Sequence, residues 1–183
     1  MIISTHKTCS FFGHRDVLIT EVIKEKIKNT IENLIVESSV RIFLFGSKSN
    51  FDNLCLMIVS ELKEKYADIR RIVYTCKSEA CLLEKDREKW EKIYSRLNIN
   101  DLLYVEEERE FKNKHIANRA SYIERNQAMI DDSDFCVFYY DEKYLPEMKK
   151  YSKRSIGYYQ PKSGTSLAYQ YAKRKKKNII NLI

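Results

Sequence analysis

The chain has 183 residues, 44% of them hydrophobic and 32% charged, and carries a net charge of +7. That length fits one domain with a core large enough to need no staples, as expected of a soluble globular protein. No apolar run reaches the ~18 residues of a membrane span, which excludes a spanning helix.

The N-terminus, MIISTHK, has no charged region followed by a long apolar core, so no signal peptide is expected. The cysteines Cys9, Cys55, Cys76, Cys81 and Cys136 are odd in number and never form C-x-x-C. Reduced, buried thiols in a cytoplasmic protein are therefore expected, with neither a disulfide framework nor a metal site.

Taken in order, residues 7–12 (KTCSFF) read as a short apolar strand that stops at Gly13-His14-Arg15-Asp16. Ile19, Val22, Ile23, Ile27, Ile31, Leu34 and Ile35 then follow at i, i+3, i+4 spacing, which predicts an amphipathic helix. Residues 40–45 (VRIFLF) predict a second strand, closed by Gly46-Ser47-Lys48-Ser49-Asn50. Helical spacing returns over 51–66, and 69–75 (IRRIVYT) predicts a third strand. From 76 to 110 the pattern weakens to a charged helix over 84–97 and a short strand over 102–105. Residues 116–130 read as a helix, and 135–140 as a nearly continuous apolar strand covered on both faces. A long irregular connection over 141–162 is a candidate lid, since long loops in compact domains often cover ligands. Residues 166–174 then read as a helix and 178–183 (NIINLI) as a last strand. Strands alternating with helices predict an α/β, Rossmann-like fold. It has a mostly parallel sheet of about six strands, helices on both faces and one domain over 1–183.

Ligands on such sheets bind beyond the carboxyl ends of the strands, where the strand order reverses. There are four glycines, and Gly13, Gly46 and Gly164 each stand at a junction leading into a helix. A glycine lets backbone approach a ligand, and the helix N-terminus behind it offers N–H groups and partial positive charge to an anion. The turn Ser163-Gly164-Thr165 is the first candidate for gripping a phosphate. Arg15 is placed to reach a phosphate or carboxylate, and His14 to donate a hydrogen bond or cap the turn. Phe51 and Asp52 open the second helix, Asp52 as a cap or as a holder of ribose hydroxyls. Ser47 belongs to the second junction. Arg125 and Asn126 share a polar helix face with Arg119 and Tyr122. Tyr140 and Asp141 end the central strand on the ligand edge. None of these junctions is a G-x-G-x-x-G or Walker pattern, and no cofactor is expected.

The charge has two readings. It marks a phosphate or nucleic-acid partner, or it is spread over solvated helix faces. Much of it sits in 173–177 (KRKKK), where a helix end favours cations.

Four segments together carry a resemblance: KTCSFFGHRD, FGSKSNFD, RNQAMIDDSD and YQPKSGTSLAYQYAKRKKKNIINLI. They resemble the SLOG superfamily (Smf/DprA–LOG), most closely its YpsA-like bacterial branch of unknown function. The resemblance runs from residue 7 to 183 with a divergent centre over 76–110. It implies a Rossmann-like fold that binds nucleotides or nucleotide-derived ligands, with ADP-ribose-related molecules among them. The LOG branch hydrolyses the N-glycosidic bond of nucleoside 5′-monophosphates, using an Arg on the helix before the Gly-Thr strand and a Glu three residues after the Thr. Arg125 matches the first and would be catalytic. The second position is Ala168, and the doubled glycine is reduced to Ser163-Gly164. The expected function is therefore binding of a nucleotide-like small molecule. A LOG-like hydrolase and a binder of single-stranded nucleic acid are the alternatives, and a homodimer is left open.

Overall fold

Residues 6–14, 17–46, 49–76, 105–111, 114, 119–154 and 156–183 are described by the computed structural model. The helix expected over 84–97 lies outside them, as do Arg15, Ser47 and Cys81. The elements are β1 (Lys7–Gly13), α1 (Glu21–Ser38), β2 (Val40–Phe45), α2 (Asn50–Lys63), β3 (Arg70–Cys76) and β4 (Glu107–Phe111). Then come α3 (Arg119–Asp131), β5 (Phe135–Tyr139), β6 (Lys149–Lys150), β7 (Tyr158–Tyr159), α4 (Gly164–Arg174) and β8 (Asn178–Asn181).

Six strands form one sheet in the order β4-β3-β2-β1-β5-β8, and every neighbouring pair is parallel. The chain thus runs outward from β1 through β2, β3 and β4, then restarts at β5 on the other side of β1. The order reverses between β1 and β5, where Gly13 is in register with Tyr139. In a parallel sheet that reversal opens a crevice beyond the strand ends.

Alternation along each strand sends side chains to opposite faces. Phe11, Phe43, Phe45, Val73 and Val137 pack with Ile27, Ile31, Ile35, Leu54 and Ile58 on the face covered by α1 and α2. Phe12, Leu44, Ile72, Tyr74 and Phe138 pack with Met129, Ile130, Ala168 and Ala172 on the face covered by α3 and α4. Phe11 stacks on Phe45 with ring centres 5.2 Å apart. Each fully buried phenylalanine of this kind contributes about 1.5–3 kcal/mol of transfer free energy. Cys9, Cys55, Cys76 and Cys136 are buried and form no disulfide. Burial pushes the thiols of Cys9 and Cys55 well above the ordinary cysteine value.

Several boundaries differ from the sequence expectation for identifiable reasons. Residues 17–20 are not helical, because Thr20 is the cap of α1 and its hydroxyl accepts from Ile23 N–H. Before it, the Asn50 side chain holds both backbone groups of Val17, at 3.0 and 2.7 Å. Of the strand expected over 102–105, residues 102–104 lie outside the described residues and Val105 is not in a strand; β4 begins at Glu107, and its exposed side chains are charged. That composition suits an edge strand, where charge deters pairing with other chains. The connection over 141–162 is not wholly irregular either, since β6 and β7 pair there as a short antiparallel hairpin. Among the described residues no helix is long and apolar enough to cross a membrane.

Candidate functional site

Gly13 ends β1 beneath α2. A Cβ there would stand 2.6 Å from the Cβ, Cγ and Cδ1 of Phe51, so no larger residue fits without moving a buried ring. Phe51 is itself fully buried and tilts against Tyr139. It is thus the packing floor of the junction. The Gly13 carbonyl accepts from the Thr165 hydroxyl at 2.7 Å, which ties the end of β1 to the first turn of α4.

Gly46 ends β2 and is held from two sides. Its N–H donates to Asp52 Oδ2 at 3.1 Å, and its carbonyl accepts from Arg125 Nη1 at 2.7 Å. A Cβ at Gly46 would stand 2.7 Å from Arg125 Nη2. The local sequence explains this arrangement. Ser49 caps α2, its hydroxyl accepting from Asp52 N–H at 3.1 Å. Asp52 is therefore not the cap, and its carboxylate is released to reach back to the loop. Arg125 is 4% exposed; its guanidinium lies 5.3 Å from the centre of the Tyr122 ring. Its position on α3 makes it a brace between α3 and the β2–α2 turn as well as a lining group.

Ser163 caps α4, accepting from Ser166 N–H at 2.9 Å. The first-turn amides of a helix have no partners within it and carry partial positive charge. Gly164 differs from the other two junction glycines. A Cβ there meets nothing within 4 Å, and no described glycine has positive φ. Neither packing nor backbone conformation demands a glycine at 164, so its missing side chain leaves open space at the helix N-terminus.

His14 follows Gly13 and is 5% exposed. Its Nε2 accepts from the Asp141 backbone N–H at 3.1 Å. Only an unprotonated nitrogen accepts, so the ring proton of the neutral imidazole sits on Nδ1. Burial pushes His14 below the ordinary histidine value, against the pull of the Asp141 carboxylate. Nδ1 is buried and has no hydrogen-bond partner among the described residues. Tyr144 covers the ring, with centres 4.0 Å apart.

These junctions surround a cavity of about 490 Å³ at the reversal of strand order. That volume lies in the range of small-molecule sites, roughly 300–1,000 Å³. Of the residues expected from sequence, Gly13, His14, Gly46 and Asp52 line it from the β1 and β2 junctions. Arg125 and Asn126 line it from α3, and Ser163, Gly164 and Thr165 from α4. Three expected residues stand outside the lining. Phe51 is beneath it; Tyr140 packs on Tyr169 at 4.6 Å with its hydroxyl 3.3 Å from Ser166 Oγ; Asp141 is exposed and reaches the site through its backbone. Ala168 is 3% exposed within the apolar cluster of α3 and α4 and does not line the cavity.

Other lining residues come from elements whose reach the sequence did not show. Ser49 was signalled only by the spacing S-x-x-D, which resembles a capping box. Tyr144, Pro146, Lys149, Pro161 and Lys162 bring the 141–163 segment over the opening. Arg119 fastens that segment to α3 by donating to the Lys162 carbonyl. Arg119, Arg125, Lys149 and Lys162 are the lining cations, and Asp52 is the lining carboxylate among the described residues. The balance favours an anion. Tyr122, Ile123, Met129 and the prolines supply apolar wall. Among the described residues no cluster of His, Cys, Asp or Glu assembles to hold a metal ion.

The basic run 173–177 lies at the other edge of the sheet, where β8 starts beside Phe135. Lys175 pairs with Asp131 at 2.9 Å, and Lys177 donates to the carbonyls of Asp131 and Ser133. Lys173 and Arg174 lie over the rings of Tyr169 and Tyr171. Among the described residues, none of the exposed large apolar side chains lies on α3. They gather instead on the hairpin segment, as Leu145, Met148, Tyr151 and Ile156, and on α1.

A family model described as the YspA SLOG family matches residues 1–178, and the chain belongs to that family. No curated protein matches the chain.

Proposed function

We propose that this member of the YspA SLOG family binds a nucleotide or nucleotide-derived small molecule, with its phosphate on the N-terminus of α4. The observation that carries this reading is the cavity at the β1–β5 reversal, where among the described residues Arg119, Arg125, Lys149 and Lys162 face the single carboxylate of Asp52, with open space at Gly164. An anion there gains from the cations and from the helix terminus together. The wall formed by Tyr122, Ile123 and Met129 suits a base, and the Asp52 carboxylate in the same lining supports a contact with hydroxyls of the sugar.

The test is a thermal-shift screen against nucleoside mono- and diphosphates, ADP-ribose and the unphosphorylated nucleosides, with mass spectrometry of the same wells. A ligand at a hundredfold its Kd stabilises by about 2.7 kcal/mol. For a chain of this size that raises Tm by roughly 5–10 °C. The shift is expected for phosphorylated compounds and is expected to shrink in Lys162→Glu. No shift with any phosphorylated compound refutes the reading.

A hydrolase is the second reading, favoured by Asp52 and Arg125 lining one cavity. N-glycosidic hydrolysis needs a carboxylate to stabilise positive charge or activate water, and position 168 supplies a methyl group instead. Release of free base that disappears in Asp52→Asn would establish turnover. Intact substrates across the panel leave binding alone. Single-stranded nucleic acid is the third reading. Its basic run is engaged within the protein at the far edge of the sheet, and salt-dependent binding lost on neutralising 173–177 would be required to support it.

A further inference from the structure

We infer that His14 is a specificity-determining residue of this site: its Nδ1–H donates to a phosphoryl oxygen of the ligand while its Nε2 latches the 141–144 turn over that same group. The inference rests on the phosphate reading above and adds to it a donor, a tautomer and a coupling.

Three observations converge. First, Nδ1 is buried without a hydrogen-bond partner among the described residues, on a residue that lines the cavity. A buried donor left unmet is costly, and such costs persist at sites that a ligand completes. Second, the tautomer is fixed by geometry. The Asp141 N–H can only donate, so Nε2 accepts and the proton stays on Nδ1. Third, the ring stands beside the anion-favouring helix terminus. Gly13, its chain neighbour, accepts from Thr165 in the first turn of α4. Nδ1–H and the α4 amides are all donors. A group that meets donors alone must be an acceptor on every side, which describes a phosphate oxyanion and not an ammonium or a lone hydroxyl. The latch follows from the same ring. Asp141 is bonded to Nε2 and Tyr144 lies on the imidazole face, so the turn that covers the cavity is seated on the residue that would touch the phosphate.

The two ring nitrogens can be separated by substitution. His14→Gln places an amide oxygen near the Nε2 position and keeps an acceptor for Asp141, but removes the Nδ1–H donor. His14→Asn places an amide N–H near the Nδ1 position and removes the Nε2 acceptor. The probes are AMP, adenosine and inorganic phosphate, titrated by calorimetry into the full chain. Limited proteolysis within 141–162 serves as the measure of the latch. His14→Gln is expected to weaken AMP binding about tenfold or more, leave adenosine unchanged and keep the segment resistant. His14→Asn is expected to open the segment to protease with a smaller loss of AMP. In long-range ¹H–¹⁵N spectra of the wild type, Nδ1 should be of the protonated type and should shift on addition of phosphate. AMP binding unchanged in His14→Gln, or a ring proton found on Nε2, overturns the inference while the phosphate reading stands. A wild type that gains no stability from AMP, ADP-ribose or phosphate sinks the phosphate reading, and the inference with it.

Discussion

Single residues separate what the fold needs from what the site needs. Gly13→Ala would drive a Cβ to 2.6 Å from Phe51, and overpacking of this kind costs about 1–3 kcal/mol. Gly164→Ala meets nothing, so stability is expected to hold or to rise by up to about 1 kcal/mol. Its new methyl occupies the space left for the ligand, so chemical denaturation should show a loss for the first variant and ligand titration a loss for the second. His14 gives a pH prediction. Its folded value lies below the ordinary 6.5, so on acidification the unfolded chain takes up its proton first. The neutral ring therefore contributes stability above the ordinary value, and that contribution is lost as pH falls through the lowered one. The facing groups are the Asp141 carboxylate and N–H and the rings of Tyr140 and Tyr144. The Tm difference between wild type and His14→Gln should shrink between pH 8 and pH 5; a gap independent of pH would contradict this. The junction glycines and Ser163 were legible in sequence because turn chemistry is local. The role of Asp52 was not, because which residue caps α2 depends on where its first turn forms, and Ser49 takes the cap.

At the scale of elements, contacts among the described residues tie the 141–163 segment to the rest of the protein at its two ends, beginning with the Asp141 N–H on His14 Nε2. Tyr144 packs on His14, Arg119 reaches the Lys162 carbonyl, and Tyr151 packs on Tyr159 across the hairpin. Ile156 at its tip is 97% exposed. Segments with few buried contacts open at a small fraction of the global stability. Tyr144→Ala should therefore speed proteolytic cleavage within 141–162 several-fold while leaving the global Tm within about 2 °C, and a bound phosphorylated ligand should restore resistance. Unchanged cleavage would show that Tyr144 does not hold the segment. The sequence marked this stretch by its length, but two-residue strands fall below any periodic signal, so the hairpin was not legible. β4 was missed for the opposite reason. Its side chains are charged, as edge strands allow, and the apolar alternation that marks a strand is absent.

The whole molecule divides by edge. One edge of the sheet carries the cavity; the other carries structural ion pairs. There Glu106 is held by the Arg71 side chain and backbone N–H and by Lys63, at 2.6 to 3.1 Å. Burial pushes its carboxyl up, but these donors outweigh burial and bring it to about 2. The stability it adds is complete above the ordinary value of 4.5 and is lost as pH falls toward 2. Glu106→Gln should lower unfolding free energy at neutral pH by about 2 kcal/mol and flatten the acid limb of a Tm–pH profile, without touching ligand affinity. The parallel sheet was legible because strands alternate with helices, and a crevice at some reversal of strand order followed from that; the order itself, with its reversal between β1 and β5, came from the structure. Which side chains crossed into the crevice from α3 and the long segment was not legible either, because those contacts join residues distant in the chain. One consequence follows from the two-sided hold on Gly46. Its N–H and carbonyl are committed to Asp52 and Arg125 before any ligand arrives, so the deep wall spends no ordering entropy on association. The segment above it supplies Tyr144, Lys149 and Lys162 to the same cavity, so under the proposed reading its closure and ligand binding are one coupled equilibrium, and loosening it should raise the escape rate more than the entry rate and lower affinity by the same factor.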